Sequence, residues 1–121
     1  MTIAEAPLYV RAHDLAVWLD RGTAAWPSPV GDLALAVRAA ARRLACESAL
    51  SLTFRDRRIA HLDEADEAIV RLREMLRIAV DLEIMDRKRL RHPAAELADI
   101  GRIIGGWRKR LKRRPEADVP P

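Results

Sequence analysis

Residues 87–114 carry eleven Lys or Arg side chains and two acids, Glu96 and Asp99, a local net charge of +9. The 86 residues before them hold eleven basic and fourteen acidic groups, a net of −3. The chemistry offered by such a segment is recognition of a polyanion, most simply the phosphates of a nucleic acid. The cations fall into two runs with Arg102 between them. The first is Arg87, Lys88, Arg89 and Arg91; the second is Arg108, Lys109, Arg110, Lys112, Arg113 and Arg114. Six cations within seven residues repel one another, and a phosphate backbone relieves that repulsion. Aromatic residues able to stack on bases are few, and Trp107 shares an apolar stripe with Ile100 and Ile104, which makes it core. The expectation is binding of RNA or DNA led by phosphate contacts and poor in sequence specificity.

Other chemistry is thin. The three histidines, His13, His61 and His92, form no His-Glu-x-x-His pattern. The stretch His61-Leu62-Asp63-Glu64 reverses the Glu-x-x-His order of di-iron bundles and occurs once, so it reads as the solvated front of a helix. Neither a Ser-His-Asp nor a Cys-His arrangement is arguable, and no glycine-rich phosphate loop follows a strand. No enzyme activity, metal or cofactor is expected. The single Cys46 sits in an Ala/Leu-rich stretch and reads as a small core residue.

The elements that must position the cations are helices. Half of the 121 residues are apolar, mostly Ala, Leu, Ile and Val, and apolar residues recur at steps of three and four. One domain is expected, an all-α antiparallel up-down four-helix bundle over residues 1–114. Its helices are expected at about 8–21, 30–54, 56–84 and 86–113. Gly22 is read as the stop of the first helix. Trp26-Pro27-Ser28-Pro29 is read as a rigid linker, because its prolines forbid a continuing helix. Small residues along the second helix allow burial on more than one face. Asp86 is a good N-cap for the fourth helix, which Pro93 restarts or kinks. Residues 115–121 are expected to be a frayed tail. No charged-then-apolar leader and no run of about 18 apolar residues is visible, so the expectation is a cytoplasmic protein without a membrane partner.

Gly101, Gly105 and Gly106 lie inside the fourth helix, at about 1 kcal/mol each relative to alanine. Close approach of another helix, within the protomer or from a second copy, would compensate. On this reading Gly101, Gly105, Gly106 and Trp107 are packing residues.

The stretch Ala98-Asp99-Ile100-Gly101-Arg102-Ile103-Ile104-Gly105-Gly106-Trp107 with its Lys/Arg-rich end resembles the C-terminal helix of the accessory variability determinants of diversity-generating retroelements. Residues 71–82 and the front segment from Asp14 to Leu19, with Trp26-Pro27 after it, are similar to that family too. The resemblance implies a four-helix bundle assembling as a barrel-like homopentamer without catalytic activity. It implies a positive surface that binds the retroelement's reverse transcriptase and nucleic acid, supporting mutagenic reverse transcription and retrohoming. Of the binding residues, it matches the segment from Arg108 to Arg114. The alternatives are a bundle protein of the ribosomal RNA intervening-sequence type, or a protein-interaction bundle with no polymerase partner.

Overall fold

A computed structural model describes residues 2–27 and 31–114. The described residues form four α-helices and no strand: α1 (Pro7–Thr23), α2 (Gly31–Thr53), α3 (Arg58–Asp81) and α4 (Arg87–Arg113). Short 3-10 turns precede α1 (Ile3–Glu5) and α3 (Arg55–Arg57). The expected Pro29 break, and any start of the second helix before Gly31, lie outside the described residues, as does the expected tail.

Each helix packs on the next, and α4 closes back onto α1. Side-chain contacts show the antiparallel sense. Arg43 and His61 reach across the α2–α3 seam to Glu64 and Glu47, and Arg58 reaches Ser51. Across the α1–α4 seam, Arg11 meets Asp99 while Trp18 meets His92. As the chain number rises on one helix, it falls on its partner.

The core is aliphatic. Leu8, Leu15, Leu19, Leu44, Leu62, Ile69, Leu72, Leu76, Leu97, Ile100 and Ile104 are fully buried, and Trp107 is the largest buried side chain. Each such side chain contributes about 1.5–3 kcal/mol relative to exposure. The small residues of α2 follow their expected use: Ala34, Ala40, Ala41, Ser48 and Ser51 are buried while α2 packs on both α1 and α3. Cys46 departs from its expected place. It lies on the outer side of α2 and is exposed.

The connections have specific causes. α1 begins with Pro7 at its first turn, where the missing N–H costs nothing. It does not stop at Gly22. Helix continues to Thr23, whose hydroxyl donates to the Leu19 carbonyl at 2.8 Å and accepts from Arg38 Nε at 2.7 Å, tying the end of α1 to α2. At the end of α3, Ile84 N–H bonds the Ala79 carbonyl and Glu83 N–H bonds the Val80 carbonyl, both at 2.9 Å. This is a Schellman closure with Glu83 in the left-handed region, φ 60°. It ends the helix three residues before the expected 84. Asp86 then caps α4, its carboxylate accepting from Lys88 N–H at 2.7 Å. α4 runs on through Pro93 without a restart. Proline removes the bond that would reach the Arg89 carbonyl, but Arg89 is exposed and water can serve that carbonyl, while the Pro93 ring is buried.

Glutamate at a left-handed position carries a cost that glycine lacks. Glu83→Gly is expected to stabilise the fold by about 1 kcal/mol, read as a raised urea midpoint with an unchanged slope.

Candidate polyanion-binding face

α4 is sorted by its buried stripe. Pro93, Leu97, Ile100, Ile104, Trp107 and Leu111 face the core. Opposite them, at steps of three, four and seven, stand Arg91, Ala95, Ala98, Arg102, Gly105, Gly106, Lys109 and Arg113. Of these, all but the half-buried Ala98 are exposed. The outer stripe is therefore positive and low in relief: its long side chains are cations, and between them stand only Ala and Gly. From Arg91 to Arg113 it runs about 33 Å at 1.5 Å per residue.

The two acids of α4 are turned to the side. Arg11 of α1 donates through Nη1 to Asp99 at 2.8 Å and to Glu96 at 3.4 Å. Asp99 also accepts from Arg102, so that cation is partly compensated. Arg11 and Arg102 together thereby offset the two negative charges beside the positive face. The role of Arg11 had no motif to announce it, because it depends on α1 lying antiparallel to α4.

The structure separates the cations that the sequence placed together. Arg87, Lys88, Arg89 and Arg91 stand at the start of α4, Lys109 to Arg114 at its end. From Arg91 to Lys109 is about 27 Å along the axis. The chain thus presents two basic ends joined by the sparser outer stripe, not one cluster. The N-terminal run opposes the helix dipole, whereas the C-terminal run is favoured by it. Arg89 leans toward α1, its guanidinium 5.7 Å from the centre of the Trp18 ring.

Arg108 is not part of the outer face. It turns toward α3 and pairs with Asp63 at 2.8 Å and Asp66 at 3.1 Å. The sequence reading grouped it with its neighbours, but one residue of helix rotates a side chain by about 100°, enough to swing it into the α3–α4 seam. The acidic front of α3, read as solvated, is in part the counter-charge for this arginine.

The three glycines of α4 differ in their surroundings. A Cβ on Gly105 or Gly106 would meet nothing within 4 Å, and one on Gly101 would make ordinary contact with Arg73 and Ile69. Nothing in the described chain presses on Gly105 or Gly106. Trp107, in contrast, is fully buried as expected.

A further group of cations completes the second basic end. Arg55 and Arg57 sit in the α2–α3 turn, Arg58 opens α3, and Leu111 of α4 shares a cavity of about 350 Å³ with Arg55 to Ala60. The turn therefore lies beside the C-terminal end of α4. The signal was the Arg55-Asp56-Arg57-Arg58 run, which an antiparallel topology sets against the last turn of α4. Arg58 is buried. Its Nε donates to the Ser51 carbonyl at 2.6 Å, Nη2 donates to the Leu52 carbonyl at 3.3 Å, and its guanidinium lies 4.9 Å from the Trp107 ring centre. Burial, with the nearby charge of Arg55, pushes its pKa below the ordinary arginine range.

Among the described residues no group of three or more His, Cys, Asp or Glu could hold a metal ion, and no helix is long and apolar enough to cross a membrane. His61 Nδ1 lies 2.6 Å from Glu47 Oε2 in a half-buried pair across the α2–α3 seam. No protein-family model, curated protein or solved structure matches this chain.

Arg58 closes the end of α2 and braces Trp107 at once. Arg58→Ala is expected to destabilise the protein by about 2–4 kcal/mol in urea unfolding, since it uncovers two carbonyls and leaves space beside the largest core side chain. Arg58→Lys should recover only part, because an ammonium cannot serve both carbonyls and stack. An Arg58→Ala midpoint equal to that of the parent would show that the contact is incidental.

Proposed function

We propose that this chain is a non-catalytic accessory protein of a diversity-generating retroelement, binding its reverse transcriptase and its template RNA or cDNA in the cytoplasm. The observation that carries the nucleic-acid half is the outer stripe of α4. Arg91, Arg102, Lys109 and Arg113 line it with only Ala and Gly between them, and Asp99 at its flank is held by Arg11 and Arg102, so a phosphate backbone meets cations without a protruding apolar side chain. Small residues let the strand approach closely, and each phosphate neutralised releases a condensed counterion. The resemblance of residues 98–107 and the basic end to the accessory variability determinants supports the retroelement half.

The proposed working form is a homopentamer. Five protomers of +4 give an assembly of +20, a field that raises the local concentration of template and polymerase together.

The direct test is co-purification with the reverse transcriptase encoded nearest to this protein, at moderate salt and after nuclease treatment. A complex of defined stoichiometry is expected. A folded protein that retains no polymerase would overturn the retroelement assignment. The nucleic-acid half has its own check. Neutralising Arg91, Arg102, Lys109 and Arg113 together should weaken single-stranded RNA binding and make the salt slope shallower by about 3, at about 0.7 per phosphate contact. Unchanged affinity would remove the outer stripe as the binding surface.

A further inference from the structure

Phe54 is the chain's single phenylalanine, and it is not in the core. It stands between α2 and the 3-10 turn that leads into α3, 38% exposed. The guanidinium of Arg57 lies over its ring, 4.3 Å from the centroid. The turn belongs to the bundle end where Leu111 meets Arg55 to Ala60 and where α4 finishes in Lys112 and Arg113, with Arg114 after it, all exposed. Asp56 is the one acid within the turn. An aromatic ring held at the surface by a stacked arginine, at the edge of a dense basic patch, has the makings of a base-stacking platform. Aromatic rings and guanidinium planes both accept unpaired bases, and nearby cations hold the flanking phosphates.

We propose that Phe54 and Arg57 form a stacking platform for an unpaired nucleotide of a strand whose phosphates lie along Arg55 and Lys112. The proposal rests on the polyanion reading of α4 and deepens it, because it makes the ligand at this end single-stranded. A duplex keeps its bases stacked inside and has none to offer the ring. The platform is blind to base identity, since every base has a π-face. It lies on a turn outside the core, so its loss leaves the bundle intact.

The experiment is anisotropy titration of the full chain with a short labelled single strand, in ribo- and deoxyribo- forms, and with a duplex of the same sequence. Circular dichroism confirms that each variant is folded. Phe54→Ala should weaken single-strand binding about tenfold, in line with the loss of one stacked base. Its salt slope and its duplex binding should match the parent, and Phe54→Trp should bind at least as well as the parent. The single strand that suffers the larger loss, RNA or DNA, identifies the one that uses the platform. Single-strand affinity unchanged in Phe54→Ala, or an equal loss on the duplex, overturns the platform while leaving the α4 reading in place. A parent that binds none of the three overturns the α4 reading itself.

Discussion

Burial of one apolar stripe on α4 decides where every other side chain of that helix goes. Six buried positions fix the rotation of the helix. Once it is fixed, residues flanking the stripe must meet α1 or α3, and those opposite it must meet solvent. Arg108 falls beside the stripe and is matched by Asp63 and Asp66; Glu96 and Asp99 fall on the other flank and are matched by Arg11. What remains outward is cationic or small. The positive face is thus a product of packing as much as of composition: a bundle that buried a different stripe would mix the same charges differently.

The bundle end around Trp107 shows the same economy of parts. Trp107 fills the core toward the end of α4, and Arg58 covers it while serving the Ser51 and Leu52 carbonyls in the last turn of α2. A buried arginine is expensive unless its donors are satisfied, and backbone carbonyls at a helix C-terminus suit it twice, through hydrogen bonds and through the dipole. Holding Arg58 inward also fixes the turn before it, which leaves Arg57 on Phe54 at the surface. The core contact of Arg58 and the surface contact of Arg57 belong to consecutive residues of one chain reversal. Their different fates come from the handful of dihedral angles in the 3-10 turn.

Much of the architecture was legible in the residues themselves. The aliphatic three-and-four spacing announced four helices, Asp86 announced its cap, and the shared register of Ile100, Ile104 and Trp107 announced the buried face. What the residues did not announce was what depends on neighbours. Arg108 and Lys109 look alike in a basic run, and only the position of α3 separates them. Arg11 has no local signature at all. Gly22 reads as a stop by propensity, but a hydroxyl bond at Thr23 and the reach of Arg38 outweigh the roughly 1 kcal/mol that a helical glycine costs. Glu83 takes the left-handed cap that glycine would normally fill, which no propensity would have chosen. Cys46 sits in an apolar stretch, yet four residues after the exposed Arg42 it shares that residue's outward face.

The chain's three lysines, Lys88, Lys109 and Lys112, are all on α4, which makes amine chemistry a selective probe of this helix. Limited acetylation with and without a bound single-stranded RNA, read by mass spectrometry, therefore reports on the proposed face directly. RNA is expected to protect Lys109, which stands on the outer stripe, and Lys112 near it. Equal acetylation of all three lysines in free and RNA-saturated protein would contradict that, and would place the bound strand elsewhere on the bundle.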